Sequence, residues 1–190
     1  ICNLMETIKK HYCCFNKNYK EAAERKILLK YLKTNNLLNK GYVSTGEESD
    51  ETFHELDIET TLNKSLINIV PEGNFRSRDS QFLSEKIYRC FLFKKPFILL
   101  SRQNDLSYIK GIGYKTFEPI INEDYDKIYD HKTRLIEVCK EIKRITSKPI
   151  EEFTNDVDKL TEICEHNYKL YISNREFKKR KFYDRITKNY

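Results

Sequence analysis

No stretch of the 190 residues approaches 18 consecutive apolar positions, which excludes an ordinary membrane-spanning helix. No signal-peptide pattern opens the sequence as given. Glycine is scarce: with five in the chain, the glycine-rich dinucleotide fingerprint is absent, and Gly111-Ile-Gly113 falls at the wrong end of a helix to serve one. None of the six cysteines belongs to a Cys-x-x-Cys pair, and His11, His54, His131 and His166 are scattered without ligand spacing, so no metal site is read. No nucleophile elbow, internal repeat or low-complexity segment is present.

What is present is enough for a packed core. Apolar residues make up 39% of the chain, with 13 tyrosines and 11 phenylalanines, so disorder throughout is excluded. The 35 basic and 29 acidic residues leave a net charge of +6 on a mixed surface, which permits phosphate contacts without calling for nucleic acid. Cys13 and Cys14 should face opposite sides of a strand, while Cys90 and Cys139 fall on apolar helix faces as buried free thiols do. That usage points to a reducing, cytoplasmic setting. The first residue is Ile, so a piece of a longer polypeptide is expected.

In chain order, Lys9 to Asn16 reads as a strand and Tyr19 to Leu38 as a long amphipathic helix stopped by Gly41. Thr45 to Glu59 reads as an acidic surface loop. Ser65 to Pro71 is a short apolar run closed by a residue that cannot continue a ladder. A polar loop carrying Gly73, Arg76 and Arg78 follows. Ser84 stands where a helix N-cap would, with Ile87, Cys90 and Phe91 on one face, and Phe97 to Leu100 is the next strand. Asn104 to Ile112 should be a short helix stopped at Gly113, and Tyr114 to Phe117 a fourth strand. Asn122 to Asp130 reads as a helical turn, His131 to Ser147 as a helix, and Ile150 to Asn174 as a helix beyond Pro149. The pattern predicts an α/β fold: an open parallel sheet with helices on both faces, Rossmann-like, over residues 1–147, with a helical, basic C-terminal extension over 148–190.

The strand–loop–helix–strand unit from Ser65 to Leu100 organises the chain. In such a unit the loop at the strand's carboxyl end faces the ligand crevice, and a helix N-terminus there suits a phosphate. Arg76, Arg78 and Lys86 add cations to that edge, and Glu72 and Glu85 add acceptors for sugar hydroxyls.

These residues carry a resemblance. Phe15-Asn16 before the helix with Arg25, Val70-Pro71-Glu72 at a strand end, Phe82-Leu83-Ser84-Glu85-Lys86 at a helix start and Lys95-Pro96-Phe97 before a strand resemble the carboxyl-terminal half of GT-B glycosyltransferases, most closely the α1,3-fucosyltransferases. Gly113 to Phe117 and Asp124 to Asp126 extend the likeness to glycosyltransferase-like proteins of phages and large DNA viruses. The resemblance spans Lys10 to Ile145. It implies a nucleotide-sugar donor site in which Arg25 and Lys86 hold the diphosphate and Glu85 and Glu72 contact ribose or sugar, with Asn16, Arg76 and Ser84 on the same edge. It implies no cofactor beyond that substrate, no required metal, and a location in host cytoplasm or a virion; the lack of a spanning apolar run gives the expectation of no membrane partner. Phe82 replaces a common Tyr, Gly73 replaces Asn, and the resemblance does not extend to the amino-terminal half that binds acceptor in that family. No catalytic base is therefore assigned, and an amino-terminal acceptor domain or partner protein is expected. The alternative is a non-catalytic binding or structural module of a virus particle derived from the same fold.

Two further signals are weighed. Asp124-Tyr125-Asp126 is formally an Asp-x-Asp metal motif, but with Glu123 and Asp130 beside it reads as the acidic start of a surface helix. The basic, aromatic stretch from Arg175 offers phosphate contacts and stacking to nucleic acid as one reading; the favoured one is a solvated terminal helix packing its aromatics back on the domain.

Overall fold

The computed structural model describes residues 7–16, 22–44, 58–73, 75, 83–118 and 120–187, with side chains as far as residue 176. Four parallel strands form one open sheet in the order β2-β1-β3-β4: β1 (Lys10–Phe15), β2 (Gly41–Ser44), β3 (Ser65–Pro71) and β4 (Phe97–Leu100). Every residue of β3 and β4 is buried, as continuous apolar runs in a sheet covered on both faces should be. The order reverses direction between β1 and β3, which makes their carboxyl ends the switch point of the sheet.

The helices are α1 (Ala23–Thr34), α2 (Ile58–Asn63), α3 (Glu85–Leu92), α4 (Asp105–Gly111), α5 (His131–Ser147) and α6 (Val157–Thr187). α5 packs on β4 and against α1, while α3 packs on β3 and against α6. Both Cys13 and Cys14 are buried, one toward each layer, as alternation along β1 requires. Mid-sheet, the polar Asn68 is satisfied by thiols: Cys13 Sγ donates to its Oδ1 at 3.4 Å, and its Nδ2 contacts Cys90 Sγ at 3.1 Å. Phe91 stacks on Tyr114 with centroids 4.0 Å apart, and Phe97 meets Phe117 edge-on at 5.0 Å. No helix among the described residues is long and apolar enough to cross a membrane.

Three expectations need correction. Gly41 does not stop α1; it opens β2, a strand the local pattern missed. A Cβ there would lie 2.3 Å from the Tyr12 ring, so only glycine lets β2 pair beside it. The helix stops earlier, at Asn36 in the left-handed region (φ 56°), with Leu37 N–H bonded back to Leu32 O at 2.9 Å. Tyr114 to Phe117 is not a strand. The side-chain amide of Asn167 on α6 accepts from Lys115 N at 2.8 Å and donates to Lys115 O at 2.9 Å, so a helix side chain supplies what a neighbouring strand would.

The third concerns the acidic turn Asp124–Lys127. Only Asp124 behaves as surface charge, paired with Lys127 at 3.1 Å. Asp126 is buried and accepts from Leu106 N, Ser107 N and Ser107 Oγ at 3.0 to 3.2 Å, clamping the start of α4. Glu123 is buried as well, accepting from Thr116 Oγ1 at 2.7 Å and Phe117 N at 2.8 Å. No group of three or more metal-ligating side chains occurs among the described residues. The remaining boundaries fall close to expectation: α5 begins at His131 under an Asp130 cap, and α6 begins after a 3-10 segment, Ile150–Asp156. Arg175 onward continues the backbone of α6.

Candidate functional site

At the carboxyl end of β3, Glu72 leaves the sheet with its N–H still bonded to Leu100 O at 2.9 Å. Ser84, eleven residues on from Gly73, caps α3: its Oγ accepts from Lys86 N at 3.2 Å. The same hydroxyl donates to Glu72 Oε1 at 2.8 Å and accepts from Lys86 Nζ at 3.4 Å. Glu72 and Lys86 thus lie within two hydrogen-bond lengths of each other, joined through one serine. Lys86 also pairs with the exposed Glu85 at 3.3 Å. Both of its contacts are long, so the ammonium keeps donor capacity for a ligand.

These residues line a cleft of about 230 Å³ together with Gly73, Arg102 and Asp105. Arg102 and Asp105 follow β4 and form a buried pair, with Arg102 Nη2 3.1 Å and Nε 3.4 Å from the two carboxylate oxygens. Each cation therefore has a carboxylate beside it, and Glu72 is the carboxylate without a pair of its own. Burial pushes the Glu72 carboxyl up, against the opposing pull of the Ser84 hydroxyl and the Lys86 charge. For Glu85, burial is the largest single influence and raises the carboxyl, but the backbone N–H at the helix start, Lys86 and Arg89 together outweigh it and hold the group below the usual range.

Asn16 and Arg25 stand apart from this cleft, at the switch point. Asn16 Nδ2 donates to Arg25 O at 3.3 Å, and Arg25 Nη2 donates to Pro71 O at 2.9 Å, tying β1, α1 and β3 together. Both side chains are buried, and Asn16 Oδ1 and Arg25 Nε have no partner among the described residues. Of the seven sequence-nominated residues, the structure gathers Glu72, Ser84, Glu85 and Lys86 in the cleft and leaves Asn16 and Arg25 outside its lining, at the switch point. Arg76 lies outside the described residues, as do Arg78 and Phe82.

Arg102 and Asp105 were missed by sequence reasoning, although a signal existed: they follow the carboxyl end of β4, the edge where ligand contacts gather. The five described cysteines are free and buried, and burial pushes Cys13, Cys139 and Cys164 up to about 12, so they are inert thiols. No family model matches the chain, and neither a curated protein nor a solved structure matches it.

Proposed function

We propose that this chain is the donor-binding half of a glycosyltransferase, holding a nucleotide-diphosphate sugar at the carboxyl edge of its sheet. The observation that carries this reading is the hydrogen-bonded chain Glu72–Ser84–Lys86, which sets a cation and an acceptor at one helix N-terminus beside a cleft. The diphosphate would lie on Lys86 and the first turn of α3, where backbone N–H groups and the helix dipole favour negative charge. Glu72 and Glu85 would accept ribose or sugar hydroxyls. Arg102 is engaged by Asp105 and serves to shape the wall. The buried free cysteines suit a reducing compartment.

Transfer also needs a base within hydrogen-bond reach of the acceptor hydroxyl. Glu72 and Glu85 are assigned to the donor and Asp105 to Arg102, so the base and acceptor site would come from an amino-terminal domain or a partner protein. Incubation of the chain with labelled nucleotide-sugars, followed by binding and transfer assays, tests this. The expected result is binding without transfer. Robust transfer by the chain alone would overturn the half-enzyme reading, and absence of nucleotide binding would favour a structural module with the same fold.

A further inference from the structure

The layer formed by α1 and α5 carries a charge pattern that the cleft does not use. α1 holds four cations against one carboxylate and α5 five against two, so this pair of helices has a net charge of +6, equal to that of the whole chain. The segregation is sharper at the surface. Glu24 and Glu141 are buried and Glu137 half-buried, whereas Lys26, Lys30, Lys33, Lys132, Lys140 and Lys143 are exposed.

Two aliphatic side chains stand among these lysines. Ile27 of α1 is 49% exposed and Ile136 of α5 is 53% exposed. They belong to one patch. Lys143 Nζ donates to Asn35 Oδ1 at 3.1 Å, and Tyr31 lies within electrostatic reach of Cys139 and Lys140. The two contacts share nearly the same sequence offset, so α1 and α5 run parallel, side by side. Ile27 and Ile136 each lie one helical turn before two residues within electrostatic reach of each other across the helix pair, Tyr31 and Lys140, and so fall toward the same seam. This is the end of both helices near the cleft edge, where Arg25 bonds Pro71 O and Arg134 bonds Ser101 O.

We propose that the α1/α5 face docks the protein on an anionic lipid bilayer, with the lysines at the headgroups and Ile27 and Ile136 entering the acyl boundary. Three features favour this occupant. Lysine on long apolar stems around a few aliphatic residues is the composition of interfacial helices, whereas lysine is depleted at protein–protein interfaces. Tyr31 is the one Phe, Tyr or Trp on the two helices and is half-buried against the core, so the face offers little on which nucleic-acid bases would stack. The positive charge complements anionic headgroups, to which each lysine adds about fivefold in affinity. The expectation of no membrane partner rests on the lack of a spanning run, and surface docking needs none. Nor does it depend on the nucleotide-sugar reading, because docking is measured without nucleotide.

Flotation of the full chain with phosphatidylcholine vesicles, with and without phosphatidylserine, tests the proposal. The chain should float with the phosphatidylserine vesicles alone and be released by salt. Lys26→Glu with Lys132→Glu should weaken binding more than about tenfold. Ile27→Asn with Ile136→Asn should weaken it about tenfold while leaving the salt dependence unchanged. Circular dichroism checks that each variant is folded; these positions are exposed, and should the isoleucine variant fail to fold, the lysine variant decides. Equal or no binding to both vesicles would overturn the proposal. So would undiminished binding by the variants, which would place the contact on the basic C-terminal stretch, or displacement of vesicles by duplex DNA that the isoleucine variant binds as well as the parent.

Discussion

Two polar clusters lie within a few residues of the same sheet edge, and their bonding differs. Around Arg134 and Asp126 every strong bond joins a side chain to backbone or to an adjacent element. Arg134 donates to Ser101 O, Phe75 O, Ile128 O and Tyr129 O at 2.6 to 3.2 Å, and its guanidinium lies 4.6 Å from the Phe75 ring centroid. Around Glu72, Ser84 and Lys86, side chains bond chiefly to one another beside open space. A buried cation gripping four carbonyls is a brace, because Nε and both Nη atoms are already engaged by backbone from several segments. A lysine with two long contacts at the rim of a cleft can exchange them. Glu72 and Ser84 are as buried as Arg134 and Asp126, while Lys86 is half-buried and Glu85 exposed; partner type and the open rim together tell the clusters apart.

Breaking the brace should have the largest effect. Arg134→Ala leaves four carbonyls without their donor and is expected to cost about 3–5 kcal/mol of stability, read by urea unfolding. Asp126→Ala strips the acceptor from two backbone N–H groups at the start of α4 and should cost about 2–3 kcal/mol by the same measurement. A loss below ~1 kcal/mol for either would place that residue with the exchangeable cluster instead.

The cleft should respond to pH more than to truncation. The folded-state pKa of Glu72 lies above its unfolded value because of burial. Its contribution to stability is therefore fully present below the unfolded pKa and is lost as pH rises through the folded one. Glu123 and Asp126 are raised by burial in the same sense. Glu72→Gln keeps an acceptor for Ser84 and removes the buried charge. It should be more stable than the parent at pH 7 by under about 1 kcal/mol and equal to it at pH 4, checked by urea unfolding at both values. Smallest of all should be the effect of Lys86→Ala on folding, within ~0.5 kcal/mol.

Elements whose cause is local were legible in the sequence. The apolar runs of β3 and β4, the Ser84 cap and the face of α5 each follow from neighbours within a few residues. What escaped depends on contacts distant in sequence. Gly41 looks like a helix stop until the Tyr12 ring is seen in the space of its missing side chain. Residues Tyr114 to Phe117 look like a strand because they pack as one, yet their backbone partner is Asn167 on α6. Glu123 and Asp126 look solvated until the N–H groups they accept from are placed. In the cleft, the resemblance singled out Glu72, Ser84, Glu85 and Lys86, but neither the serine linking carboxylate and ammonium nor the Arg102–Asp105 wall can be read from spacing.

The central claim is that Lys86 and the start of α3 form a diphosphate site. Calorimetric titration of the parent and Lys86→Ala chains with nucleoside diphosphates, and with inorganic pyrophosphate as the base-free probe, tests it most directly. The account predicts saturable binding to the parent, weakened by about 1.5–3 kcal/mol in the variant while its unfolding curve stays put. Diphosphate binding unchanged by Lys86→Ala, or absent from the folded parent chain, would contradict it.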